Sequence, residues 1–231
     1  MHTLFLMWIR RTAIIGLLVL LATGSALLMQ SYAQKPAAPP QSAHTPSISL
    51  PVPFAPQAPF ANWDALHEEA CEEMSLIMVH HYLQGTPLSL NDAEKEVQEM
   101  VGFETAKGYG VDVSASQLGE IASTLYGYKT RVLSNVTAQT LRAELDAGHP
   151  VIAPVAGRYL KNPYFSGEGP FYHMLVITGY TEDGFITNEP GTKRGENYWY
   201  STDIFMNALH DWTGVKEEIA TGAKTALVVE K

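Results

Sequence analysis

One cysteine, Cys71, stands in the whole chain. No intrachain disulfide can form, so the fold does not rest on a disulfide framework. Cationic residues are also scarce: 15 Lys and Arg stand against 24 Asp and Glu, a formal net charge of -9. No cluster of Lys or Arg interleaves with aromatics. Neutralising phosphates needs a basic face, so nucleic acid is not an expected partner. Metal-ligand spacing is missing too. His80 and His81 are adjacent, so on a helix they point about 100° apart, and they read as packing or surface residues. His67 has no second ligand near it in sequence, and His149 reads as a loop residue before Pro150. No metal and no organic cofactor is expected. There is no internal repeat.

What is present is an ordinary soluble balance, 46% apolar and 17% charged, behind an unusual N-terminus. Arg10 and Arg11 precede an apolar run from Ala13 to Met29, with no charge until Lys35. Residues 1–33 read equally as a cleaved signal peptide, cut after Ala33, or as a single N-terminal membrane anchor. Either reading puts the basic end in the cytoplasm and the remainder outside. Pro, Ala and Ser dominate 34–50, which reads as an extended, uncovered linker. Residues 51–231 are left for one domain of roughly 180 residues, enough for a substantial core. A thiol kept outside the cytoplasm is either buried or used.

Along that domain the apolar period changes. Met74, Ile77, Met78 and Tyr82 follow helical spacing, and the other apolar residues from Cys71 to Leu83 widen the stripe to most sides. Such a helix is usually a central, buried one, and Gly85 ends it. Ser89-x-x-Asp92 opens a polar helix to about Val101, and Ser114-x-x-Gln117 opens another to about Tyr126. Thr137 to Ala147 is a third amphipathic stretch. Residues 150–155, 173–180, 184–188 and 224–230 read as strands. Residues 156–172 read as a loop. Residues 196–212 read as a strand and a short helix completing the fold. Helices first and strands later predict α+β with an antiparallel sheet.

Cys71 opens its helix. A helix N-terminus lowers a thiol pKa, but Glu72 and Glu73 in the same turn oppose thiolate formation. A lone thiol on an apolar helix is more often packing than chemistry, so a His partner has to be found. His80 and His81 lie nearly three turns away along the same helix, out of reach of Cys71. His173 opens a strand at the edge of a long loop, where site residues tend to be displayed. What faces it depends on the turn in "GYTEDG". A five-residue connection puts Glu189 directly across from His173, and a three-residue loop keeps Glu189 on that face but further along. A two-residue turn puts Asn188 there instead. Either side chain can accept an imidazole N–H and fix the tautomer.

The segments "VPFAPQAPFANW…CEEMSLIMVHHYL" and "GHPVIAPV…YHMLVITGYTEDGFITNEPG" resemble the peptidase C39-like family of the papain-like cysteine peptidase superfamily, over roughly residues 50–192. The order carries the resemblance: Gln after a short strand, Cys opening a helix, G-x-P-V-I, His on a strand, then an acidic residue before Pro. The resemblance implies a papain-like fold, with a central N-terminal helix carrying Cys packed on an antiparallel β-sheet carrying His. It implies Cys71 as nucleophile, His173 as base and proton donor, Glu189 as the third member with Asn188 as its substitute, and Gln57 at the oxyanion. The family's usual Asp is Glu189 here, and its usual Gly after Cys is Glu72. The expected activity is an extracytoplasmic cysteine peptidase or related amide hydrolase acting on a peptide or protein. Two alternatives stand beside it. One is a catalytically silent C39-like module that binds peptides or proteins. The other is a cell-wall peptidase of the NlpC/P60 type, although "EACEEM" lacks the Asp-Cys-Ser-Gly usual there.

Overall fold

The computed structural model describes residues 44–231. The apolar N-terminal segment and the linker as far as residue 43 lie outside the described residues. Among the described residues no helix is long and apolar enough to cross a membrane.

The elements run β1 (Ile48–Ser49), α1 (Cys71–Gln84), α2 (Leu90–Lys107), α3 (Ala115–Tyr126), β2 (Lys129–Ser134), α4 (Ala138–Asp146), β3 (Val151–Ala156), β4 (Tyr172–Tyr180), β5 (Gly184–Asn188), β6 (Tyr198–Ser201), α5 (Thr202–Ala208) and β7 (Thr225–Glu230). The strands form one antiparallel sheet in the order β2-β7-β3-β4-β5-β6, with β1 added to the end of β4. The α+β reading therefore holds.

Alternation along the strands divides the core between the two faces of the sheet. Ile152, Met174, Val176, Leu227 and Val229 pack with α1, α2 and α3 on one face. Val151, Ala153, Val155, Leu175, Ile177 and Val228 pack with Leu141 and Leu145 of α4 and Phe205 of α5 on the other. Helix α1 lies against β4 and is buried without a break from Cys71 to Val79. Each large apolar side chain buried there contributes about 1.5–3 kcal/mol, which is why so many sides of this helix are apolar. Gly85, with φ 68, ends it in the left-handed conformation that a C-cap requires.

Three features differ from the sequence reading. Helix α2 continues past Val101 to Lys107, because Met100 and Glu104 keep its buried stripe going across Gly102. Strand β2 has no apolar run to reveal it. It is an edge strand, mostly exposed, paired along its length with β7. The end of the linker is not uncovered: Ser47 N–H donates to Tyr180 O at 2.9 Å and Leu50 N–H to Thr178 O at 2.7 Å. That docking needs Gly179, where a Cβ would stand 2.3 Å from Ile48 O.

Candidate active site

Three residues, 181–183, connect β4 to β5, but they are not the 182–184 loop of the sequence reading. Tyr180 pairs with Phe185, and a β-bulge then shifts the register between Ile177 and Gly179. The bulge changes the outcome. Continued unbroken, the Tyr180↔Phe185 register would put Asn188 opposite Ile177, on the face of His173. One extra residue at Thr178 moves the register by one place, and Thr187 meets Ile177 instead. Because strand side chains alternate, that single shift exchanges every side chain between faces. Glu189 reaches His173 Nε2 in a buried hydrogen-bonded pair. Asn188 is turned the other way, which corrects its candidacy as the residue that orients His173. Its Nδ2 donates to Val52 O at 3.0 Å, and its Oδ1 accepts from Asn197 N–H at 3.2 Å.

Glu189 is fully buried and well supplied with donors. Gly191 N–H donates to Oε1 at 3.0 Å, and Tyr200 O–H donates to Oε2 at 3.0 Å. Asn162 Nδ2 donates in turn to Tyr200 Oη at 2.7 Å. Burial and the neighbouring Glu189 raise the Tyr200 hydroxyl well above its ordinary value, so it stays a donor. Phe165 meets the His173 ring edge-on, with centroids 5.5 Å apart. A Cβ on Gly191 would lie 3.0–3.1 Å from Phe165, Glu189 and His173, so the turn after Pro190 has to be bare to close around the ring. With Nε2 held by Glu189, the ring's other nitrogen, Nδ1, makes no hydrogen bond among the described residues. Sequence reasoning missed Tyr200, Asn162 and Phe165. The aromatic alternation in "YWYS" was the available signal for Tyr200, but its partner lies far away in the chain.

Cys71 arrives from the other face of the sheet. β5 ends at Asn188, opposite Val176, so the β4 edge is open beyond that point. Pro154, opposite Met174 in β3, turns its C=O away to His210 N–H. This is a non-hydrogen-bonded pair, so Met174 N–H points to the open edge. It donates to Cys71 Sγ at 3.4 Å. The sulfur thus lies on the backbone of the residue next to His173. The thiol itself donates to Glu72 Oε2 at 2.9 Å, not to His173. Burial first pushes the Cys71 thiol well above its usual value, and Glu72 adds to that wherever it is ionised. Glu72 Oε1 accepts Val113 N–H at 3.2 Å. Burial raises the Glu72 carboxyl to about 8.

Helix α1 starts differently from the others. Ser89, Ser114, Thr137 and Ser201 cap α2, α3, α4 and α5 with their side chains, whereas Ala70 offers α1 no cap. A side-chain cap is typically worth about 1 kcal/mol. Its absence leaves the first-turn N–H groups beside Cys71 without a side-chain cap. Gln57 is buried nearby, with its backbone N–H on Pro190 O at 2.9 Å. Its Nε2 donates to His67 O at 2.8 Å and Glu68 O at 3.1 Å, and its Oε1 is buried without a partner. In this arrangement both amide N–H groups of Gln57 are engaged by backbone carbonyls.

One cleft of about 650 Å3 joins these parts, lined by Gln57, Cys71 and His173 together with Trp63, Phe165 and Gly191. His67, unpartnered in the sequence reading, has Asp64 Oδ1 at 2.7 Å and Glu94 Oε2 at 3.1 Å on its two ring nitrogens. No group of three or more His, Cys, Asp or Glu able to hold a metal ion occurs among the described residues.

A family model described as Peptidase_C39 like family matches residues 49–219. The chain belongs to the peptidase C39-like family. Among solved structures, this C39-like chain is similar to one described as a C39-like peptidase from Bacillus anthracis, at 15% identity and a TM-score of 0.53 over 80% of this chain and 97% of that one. It is also similar to the peptidase domain of Streptococcus ComA, described as a bifunctional ABC transporter of a quorum-sensing pathway. There the identity is 16% and the TM-score 0.44, over 78% of this chain and 98% of that one. Curated proteins provide no match. The mixed fold of helices on an antiparallel sheet is that of C39 peptidases and is consistent with the papain-like architecture.

Proposed function

We propose that the chain is an exported cysteine peptidase or related amide hydrolase, in which Cys71 and His173 act as nucleophile and base. The observation that carries this reading is the Glu189-held imidazole. With Nε2 occupied, Nδ1 is the nitrogen left for the cleft that Cys71 also lines. In the forward step the Cys71 proton passes to His173 Nδ1, and the sulfur bonds to the substrate's amide carbon. The carbonyl oxygen becomes an oxyanion held by the uncapped start of α1 and, once it lets go of a backbone carbonyl, by the Gln57 amide. The imidazolium protonates the leaving amine, and water then releases the acyl group. Export rests on the basic-then-apolar N-terminus, and a peptide or protein outside the cytoplasm is the substrate class it implies.

The test is covalent labelling of the full chain by an irreversible cysteine-peptidase probe, alongside Cys71→Ala and His173→Ala. Wild type labels at Cys71 and hydrolyses amide substrates; both variants lose at least about 10³-fold in hydrolysis. Wild-type labelling no faster than that of His173→Ala removes the Cys–His reading. A second reading, the catalytically silent binding module, is favoured by one specific observation: the resting thiol is bonded to Glu72 and the Gln57 N–H groups to backbone carbonyls. It predicts no labelling above that of His173→Ala.

A further inference from the structure

Glu72 replaces the glycine that usually follows the nucleophile in this family, and its charge is expected to suppress the thiolate. The geometry points elsewhere. Glu72 is buried, 1% exposed, and no cation among the described residues pairs with it. Its two oxygens have different partners: Oε1 accepts the Val113 N–H, while Oε2 lies on the Cys71 sulfur, and the carboxyl also meets its own backbone N–H. Oε2 is thus the oxygen placed to carry a hydrogen toward the thiol. The surroundings favour that state. Glu73 on the same helix, Asp112 before α3, Tyr172 of β4 and Asp211 after α5 are all acids, and none can take the proton from Glu72 to leave a cation. Of the basic side chains lining the cleft with Cys71, His173 of β4 is held by Glu189. Lys216 is occupied by Glu69 at 3.3 Å and Asp112 at 3.4 Å.

We propose that Glu72 works as a neutral carboxylic acid whose Oε2–H hydrogen-bonds the Cys71 sulfur, a positioning residue that stabilises the thiolate instead of opposing it. A neutral carboxyl can serve both stages of the step. Its oxygen accepts the thiol S–H at rest. When that S–H breaks and the proton passes to His173 Nδ1, the electron pair stays on sulfur and Glu72 O–H donates to it beside Met174 N–H. Glu72 keeps its own proton throughout, and no other reactant is needed. A carboxylate can serve only the first stage, and then sets a second anion 2.9 Å from the sulfur. The raised Glu72 carboxyl, about 8, agrees with the neutral form at neutral pH.

This inference rests on the Cys–His reading, and one experiment separates the two. The second-order rate of Cys71 alkylation by iodoacetamide is measured from pH 5 to 10 on the full chain, with Glu72→Gln, Glu72→Leu and His173→Ala. Glu72→Gln keeps both bonds, its amide oxygen accepting from Val113 and its N–H donating to sulfur, and it cannot ionise. It is expected to stay within about 3-fold of wild type at pH 6–7. Glu72→Leu, with no donor, loses about 10-fold or more there. Wild type stalls or falls above about pH 8 as Glu72 ionises, and Glu72→Gln does not. A Glu72→Gln loss as large as that of Glu72→Leu, or the same alkaline fall in Glu72→Gln, overturns the proposal. If neither variant folds, a wild-type rate that keeps climbing past pH 9 overturns it, and a stall near pH 8 supports it. His173→Ala reports separately. If it alkylates like wild type at pH 6, the Cys–His reading fails, whatever the Glu72 variants do.

Discussion

Two buried glutamates flank the cleft, and they differ in what stands next to them. Glu189 faces an imidazole, a base able to hold a proton, and also accepts from Gly191 N–H and Tyr200 O–H. Glu72 faces a thiol, among Glu73 and Asp112, with no cation paired to it among the described residues. A buried charge persists where a partner answers it, and otherwise the group neutralises. The same side chain therefore serves two ends: an acceptor that orients His173, and an acid beside the sulfur. The residue type does not decide the role; the proton-holding capacity of its neighbours does.

The sharpest way to break this contrast is to make the same substitution at both positions. Glu189→Gln removes the carboxylate partner of His173 and is expected to cost about 10²–10⁴ in kcat for amide hydrolysis. Glu72→Gln is expected to leave kcat within about 3-fold at neutral pH. Equal losses at the two sites in one kinetic assay would show the glutamates to be interchangeable and end the comparison.

A smaller effect is expected one bond further out. Tyr200→Phe leaves Glu189 Oε2 without its hydroxyl donor and Asn162 without its acceptor. Unfolding measurements should give a loss of about 1–3 kcal/mol, with kcat down several-fold and KM little changed. Unaltered stability and kcat would mean that Glu189 is held by His173 and Gly191 alone.

The smallest effect tests the acidic side. Burial, then Glu72 and Glu104, raise the Glu73 carboxyl well above the ordinary 4.5. Such an acid binds an extra proton in the folded state, so stability is lost as the pH climbs above 4.5. Glu73→Gln keeps a donor toward Glu104 without ionising. Its Tm should exceed that of wild type at pH 8, and the gap should narrow at pH 5. A gap that is the same at both pH values removes protonation as its cause.

By itself the sequence determined what is local. The apolar sides of α1, the Ser and Thr caps of the other helices and the glycine stops are written in neighbouring residues. The order of Gln57, Cys71, His173 and an acid before proline was legible through the resemblance to the peptidase C39-like family. The choice between Glu189 and Asn188 was not, because it turns on one bulged residue at Thr178, and parity along a strand is lost or restored by a single insertion. Nor could sequence separation show that Tyr200 and Asn162 stand behind Glu189, or that Glu104 lies against Glu73 across two helices. Above all, whether Glu72 opposes the thiolate or holds it depends on desolvation and on the absence of a cation. Both are properties of the closed fold, since only packing removes water and brings Val113 and Asp112 to the start of α1.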